Sequence, residues 1–434
     1  MRRKCRNTPH RGGLALGVCA SFLGVAHAVN AQTPPLAADA APFGGRGQFV
    51  ITGASTMGIS FVSYSASQAS SFGAVFSPGL DYFISRNISV GVDVDVSYGD
   101  AKGYGADGSL IETTTTTVAA GPRVAFNLPF GRSPFSLYPR LTLGFEWTQR
   151  DEQLVSGASL SVAGSALGYP SSTQVGPTIN LFIPLLFHPT GHFFMGFGPS
   201  VFHEFGHVSG GPDVGGQRTT IACGLVVGGY FGGERAPADA LEDGPRPVPP
   251  RRFGMEGEWV LTNDLTAGIS STGYIGTSSS ALGATLDVGF DYFVADNVSM
   301  GAAAAISYNR IQGTDASSGA PVTTSVTGGG VLARLGYSVP VARWLSWFPR
   351  VSLGFSTDTF KESSGVSANQ PSENIVTIAA FAPILVHPVP HFFAGLGPYV
   401  SQDVSRSVSF PNSPIQVQNQ SSRAGLTLVV GGWL

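Results

Sequence analysis

The sequence predicts an all-β protein, a transmembrane antiparallel up-and-down β-barrel arranged as two tandem eight-stranded barrels. Three observations predict it. First, hydrophobicity has a period of two. Ile88, Val90, Val92, Val94, Val96 and Tyr98 alternate with Ser89, Gly91, Asp93, Asp95 and Ser97, an order that collects the hydrophobes on one side of a strand and would scatter them around a helix. Second, the chain repeats itself in order. SPGLDYFISRNISVGVDVDVSYG at 77–99 returns as DVGFDYFVADNVSMGAAAAISYN at 287–309, YPRLTLGF at 138–145 as FPRVSLGF at 348–355, and IPLLFHPTGHFFMGFGPSV at 183–201 as APILVHPVPHFFAGLGPYV at 382–400. Such order-preserving similarity is the signature of a structural unit present twice. Third, charged residues make up only 12% of the chain, against roughly 25% in soluble proteins, too few to cover two water-soluble domains.

In chain order, residues 1–31 place five basic residues before a short apolar stretch, Gly13 to Ala26, and end in small-residue sites at Ala28 and Ala31. The stretch falls short of the roughly 20 residues that a helix needs to cross a bilayer, so the segment reads as a secretory signal peptide. Without it, 19 basic residues (24 minus 5) face 27 acidic ones, a net charge of −8. A basic nucleic-acid footprint is absent. Residues 32–46 read as an N-terminal spacer. The first barrel covers 47–231, with strands near 47–62, 72–84, 88–99, 112–128, 134–150, 173–187, 192–206 and 217–231. Tight turns at 85–87, 129–133 and 188–191 alternate with longer loops, the pattern of a barrel with turns at one rim and loops at the other. GGERAPADALEDGPRPVPPRR at 232–252 is a Pro-rich linker with little to bury, and 253–434 is the second barrel. The linker is longer than a turn needs, and each copy has its own closing strand, which favours two barrels. The alternative joins all strands into one sixteen-stranded barrel. Strand pairing decides: the strand starting near Gln48 meets either the one ending at Phe231 or the one ending at Leu434.

The polar faces carry Asp81, Asp93, Asp95, Arg123, Arg140, Glu146 and Glu204 in the first copy and Asp287, Asp291, Arg334, Arg350 and Asp403 in the second, among Gly, Ser and Thr. These are expected to line the lumen as a charge network. The opposite faces, such as Ile179, Leu181, Ile183, Leu185 and Phe187, suit hydrocarbon, and Tyr82, Tyr98, Trp147, Tyr292, Trp344 and Trp347 fall near strand ends, where interface girdles sit. With its leader, its alternating strands and an aromatic end to each copy (GGYF at 228–231, GGWL at 431–434), the sequence resembles the small OmpA/OmpX-like outer-membrane barrels of Gram-negative bacteria. The resemblance implies residence in the cell outer membrane, contact with its lipid, and recognition of the last strand by the barrel-insertion machinery.

The lumen of an eight-stranded barrel is just wide enough for side chains. The expected function is therefore structural or carried by surface loops, non-enzymatic and without cofactor or metal, with a lumen closed by polar side chains. The alternatives are a porin-like channel for small solutes and a lipid-modifying outer-membrane enzyme. Two motifs bear on this. HEFGHVSGGPD at 203–213 has the spacing of a zinc protease, with His203 and His207 as ligands and Glu204 as base, provided that it is helical. On a strand, four steps of about 3.4 Å separate the histidines by roughly 13 Å, too far for one metal. The second copy has Gln402, Asp403, Val404, Ser405 and Arg406 there and keeps only the acid. The element HPxxHFF, with His188 and His192 in one copy and His387 and His391 in the other, has no serine beside it and reads as an interface anchor.

Overall fold

The computed structural model describes residues 42–52, 56–65, 68–104, 110–131, 133–154, 171–209, 217–233, 252–263, 266–274, 280–314, 321–363, 371–409 and 420–434. The leader, the spacer up to residue 41 and the linker from 234 to 251 lie outside them. The described part of the first half consists of β1 (Gln48–Thr52), β2 (Thr56–Tyr64), β3 (Ser70–Ser77), β4 (Gly79–Ser85), β5 (Ile88–Tyr104), β6 (Leu110–Phe126), β7 (Leu128–Pro129), β8 (Phe135–Leu137), β9 (Arg140–Leu154), β10 (Ser172–Phe182), β11 (Leu185–Phe187), β12 (Phe193–Phe205), β13 (His207–Ser209) and β14 (Gln217–Gly232). The second half consists of β15 (Trp259–Thr262), β16 (Thr266–Tyr274), β17 (Ser280–Ala295), β18 (Val298–Thr314), β19 (Pro321–Tyr337), β20 (Val339–Ala342), β21 (Leu345–Trp347), β22 (Arg350–Ser363), β23 (Ser372–Phe381), β24 (Ile384–Val389), β25 (Phe392–Ser409) and β26 (Ser421–Trp433).

Proline cuts several strands that the alternation alone joins. The break between β3 and β4 falls at Pro78, that between β8 and β9 at Pro139, and that between β10 and β11 at Pro184; Pro349 and Pro383 do the same in the second half. Proline offers no N–H to a ladder. The breaks remain hydrogen-bonded through the proline carbonyls: Tyr138 N donates to Pro184 O at 3.0 Å and Phe126 N to Pro139 O at 3.1 Å.

Antiparallel pairing runs from β2 through β3, β5, β6, β9, β10, β12 and β14. It crosses to β16 and continues through β17, β18, β19, β22, β23, β25 and β26. β26 then pairs with β2, Gly58 opposite Thr427, and the wall closes as one sixteen-stranded barrel. This corrects the expectation of two separately closed eight-stranded barrels. The reason is that the strand expected at 47–62 is split. Its first part, β1, pairs with the last strand of its own half, Gln48 opposite Gly232, whereas β2 crosses to the last strand of the other half. The second half does the same: β15 pairs with β26, Val260 opposite Trp433, and β16 with β14, Gly268 opposite Gly224. The short strands β1 and β15 are additions to the ring at the turn rim.

Between the halves at that rim, Phe193 and Val227 pack with Phe392 and Val430. The contact is reciprocal and needs glycine on both sides. A Cβ on Gly229 would lie 2.2 Å from the Phe392 ring, and one on Gly432 would lie 2.5 Å from the Phe193 ring. The outer face of the wall is hydrophobic and uncovered: Val92 is 46% exposed, Leu143 51%, Phe145 52% and Ile306 61%. The buried hydrophobic clusters instead fill the turn end of each half.

Candidate functional site

The inward face of the first half encloses a cavity of about 750 Å³, bordered by Asp93, Asp95, Arg123, Arg140, Glu146 and Arg218. These residues come from β5, β6, β9 and β14, where the two-residue period sets them inward between outward hydrophobes. At its lower end Arg123 Nε donates to Asp81 Oδ1 at 2.7 Å and Nη1 to Asp93 Oδ1 at 2.8 Å. Thr142 donates to the other oxygen of Asp93 at 3.0 Å, and the Tyr138 hydroxyl lies 2.8 Å from Ser89 Oγ and 3.3 Å from Asp81 Oδ2. Arg140 is buried there against aromatic faces, its guanidinium carbon 4.9 Å from the centre of the Phe182 ring. Higher up, Arg218 bridges two carboxylates, Glu204 at 2.7 Å and Glu146 at 3.1 Å, and Gln174 donates to Glu204 at 2.5 Å.

In the second half Arg350 Nη1 donates to Asp291 Oδ2 at 2.9 Å, with Arg334 Nη1 at 4.0 Å from the same oxygen. Asp287 and Arg334 border a cavity of about 430 Å³. Asp403 accepts from the backbone and hydroxyl of Ser421 at 3.1 and 2.5 Å and from Thr377 at 3.1 Å, and Arg406 pairs with Glu373 and lies 3.7 Å from Asp403. Arg218, Glu373 and Arg406 escaped the sequence reading because they sit near strand ends, away from the long alternating runs. Their partners come from neighbouring strands, Glu204 opposite Arg218 and, for Arg406, Glu373 two residues before the Ile375 that lies opposite it, a proximity that sequence spacing does not encode.

Below these charges each half is filled by a plug that the sequence reading placed in the spacer and just past the linker. Phe43 sits with its ring centre 5.0 Å from His188 and Tyr230, 5.2 Å from Tyr138, 5.3 Å from Phe83 and 5.4 Å from Phe194. Phe253 repeats this against His387 at 5.1 Å, Phe293 and Phe348 at 5.3 Å, Trp433 at 5.4 Å and Phe393 at 5.5 Å. Both belong to short turns, FGGRGQ at 43–48 and FGMEGE at 253–258. The last side chain holds the turn: Gln48 Oε1 accepts from the Gly44 and Gly45 amides at 2.9 and 3.0 Å, and Glu258 Oε2 from the Gly254 and Met255 amides at 2.9 and 3.2 Å. Gly44 and Gly254 have φ of +96° and +99°, which side-chain-bearing residues resist. The recurrence of Phe-Gly-x-x-Gly ahead of each first strand was the signal available in the sequence.

The two histidine motifs are resolved by the same walls. HEFGH lies on β12 and β13, so the one-turn helical spacing that a zinc site needs is absent. His203 Nδ1 is 2.8 Å from Thr219 Oγ1, and Glu204 is buried on Arg218 and Gln174. His188 and His387 do have serine neighbours, contrary to expectation, brought in from distant strands: Ser136 Oγ is 2.9 Å from His188 Nε2 and Ser346 Oγ is 2.7 Å from His387 Nε2. Both pairs are packed beneath a phenylalanine plug, with Ser136 and Ser346 buried rather than on the outer surface. Burial pushes the His188 imidazole down to about 4, so it is neutral and serves as a hydrogen-bonding post in the rim. Among the described residues no group of three His, Cys, Asp or Glu side chains is placed to hold a metal ion.

No family model matches the chain, and no curated protein is similar to it in sequence. Among solved structures, similarity is found to a FadL homologue of Pseudomonas aeruginosa at 11% identity, covering 92% of this chain and 95% of that one with a TM-score of 0.34. A mutant of the TodX monoaromatic hydrocarbon channel matches at 10% identity over 90% and 91% of the two chains, also at 0.34. OccK5 (OpdH) of Pseudomonas aeruginosa matches at 11% over 89% and 98%, at 0.26. Scores this low leave the wall and the cavity to speak for themselves. They correct the expected structural, loop-bearing role with a closed lumen: that expectation rested on two narrow cylinders, whereas the wall closes through sixteen strands around charged cavities.

Proposed function

We propose that this protein is a porin-like channel for small solutes, resident in the outer membrane and not an enzyme. The observation that carries the reading is the single sixteen-stranded ring with hydrophobes outward and a charged cavity of about 750 Å³ within. A ring of this size leaves room for water where eight strands do not. Its exposed Val, Leu, Ile and Phe side chains suit lipid, because closed barrels satisfy every backbone group internally. A solute entering from the loop rim reaches Arg123 and Arg140. Below that layer the two phenylalanine plugs and the hydrophobic seam between the halves occupy the space, so transit is limited at the turn rim. Reconstitution in planar bilayers tests this. The wild-type protein is expected to give low conductance, and the Phe43→Ala, Phe253→Ala double variant, folded by heat-modified gel mobility, a larger one. Two folded proteins that both fail to conduct would remove the channel reading.

A further inference from the structure

One guanidinium in the first-half cavity has no acceptor. Arg140 is 6% exposed, its Nη1 is buried without a hydrogen-bond partner, and it joins no ion pair among the described residues. It borders the cavity of about 750 Å³ beside Thr142, Thr178 and Asn180. The second half provides the control. Arg350, at the same place in its segment FPRVSLGF, donates to Asp291 at 2.9 Å. In the first half the corresponding carboxylate, Asp81, is already occupied, by Arg123 at 2.7 Å on one oxygen and by the Tyr138 hydroxyl at 3.3 Å on the other, while Asp93 anchors Arg123 at 2.8 Å from its far side. The second half has Phe348 in place of Tyr138 and Ala303 in place of Asp93, so neither competing contact exists there. Two side-chain differences thus separate Arg140 from its carboxylate.

Taking a guanidinium out of water without an acceptor is costly, and removing that cost takes an oxygen or halide acceptor in the cavity. We infer that the lower end of this cavity binds a small monovalent anion on Arg140, with the hydroxyl of Thr178 and the amide of Asn180 as further donors. Hydrogen bonds from a guanidinium to an anion are among the stronger ones a protein makes. Asp93 and Asp95, bordering the same cavity, select against a multiply charged anion by repulsion. The site stands on the cavity's geometry and does not require conduction.

Calorimetric titration of the full-length protein in detergent with sodium acetate, at constant ionic strength, tests it. Wild type is expected to bind one acetate, and Arg140→Met to bind it at least about tenfold more weakly, the loss of one charge-assisted hydrogen bond or more. The variant is expected to stay folded, because it removes a buried charge that has no partner. A separate measurement avoids variants altogether: wild-type crystals grown in sodium bromide are expected to show an anomalous peak within hydrogen-bonding distance of the Arg140 guanidinium. Acetate binding undiminished in Arg140→Met, or a water at Arg140 in place of bromide, overturns the inference. Acetate binding that depends on Arg140 in a protein that does not conduct would sink the channel and leave the anion site standing.

Discussion

Burial decides the chemistry of His188, and its consequence is measurable. With the folded imidazole pushed to about 4 from an ordinary value of 6.5, the folded protein refuses a proton that the unfolded chain accepts. Between these two values the unfolded state binds more protons, so stability falls as pH is lowered through the window and is unaffected above it. Thermal unfolding followed by heat-modified mobility is expected to drop in midpoint between about pH 6.5 and 4, and His188→Gln, which can still reach Ser136, to flatten that slope. An equal slope in the variant would show that other groups control it. At this scale the sequence was only partly informative. The alternation in 88–98 placed Asp93 inward, but nothing in it paired Ser136 with His188, 52 residues away, or separated Arg140 from Asp81.

The strands divide into those that a period of two predicts and those that prolines and the seam reshape. β5 and β6, paired from Ile88 opposite Phe126 to Tyr104 opposite Leu110, are long and without a register shift, and the alternation of 88–98 sets the faces of their lower part. The breaks at Pro139 and Pro184 were visible as prolines, yet their hydrogen bonding through Pro139 O and Pro184 O depends on neighbouring strands. The seam is different again, because Gly229 and Gly432 are required by rings from the opposite half. Gly229→Val is expected to destabilise the protein by about 1–3 kcal/mol through overpacking against Phe392, and Phe392→Ala in the same chain to relieve part of that loss. Urea unfolding of the two single variants and the double variant measures the coupling. Strict additivity would mean that the two side chains do not meet.

For the whole molecule the question is closure, and one pair of cysteines answers it. In the ring Ile59 lies opposite Leu426, across the seam between the halves. Extending the β1 register upward would instead set Ile59 opposite Ile221, which the ring pairs with Ser271. Opposed residues on antiparallel strands are about 4.5–5.5 Å apart at Cα, within disulfide range. Oxidation is therefore expected to link Ile59→Cys to Leu426→Cys, read by peptide mass spectrometry, and to leave the Ile59→Cys, Ile221→Cys pair unlinked. The opposite result would restore two barrels and remove the width on which the channel depends.

The kind of wall is written in the sequence: extended strands, hydrophobes outward and carboxylates and arginines inward, because side-chain period and strand geometry are local properties. The sequence could not choose the partner of β2. The last strands of the two halves carry nearly the same alternation, and the competing registers differ by an even number of residues, Gly58 meeting Thr427 in the ring where continued β1 pairing would give Ala222. An even shift keeps every side chain on its proper face, so either closure satisfies the pattern, and only the tertiary structure, through the crossing at the seam and the rings buried in it, selects one lumen over two.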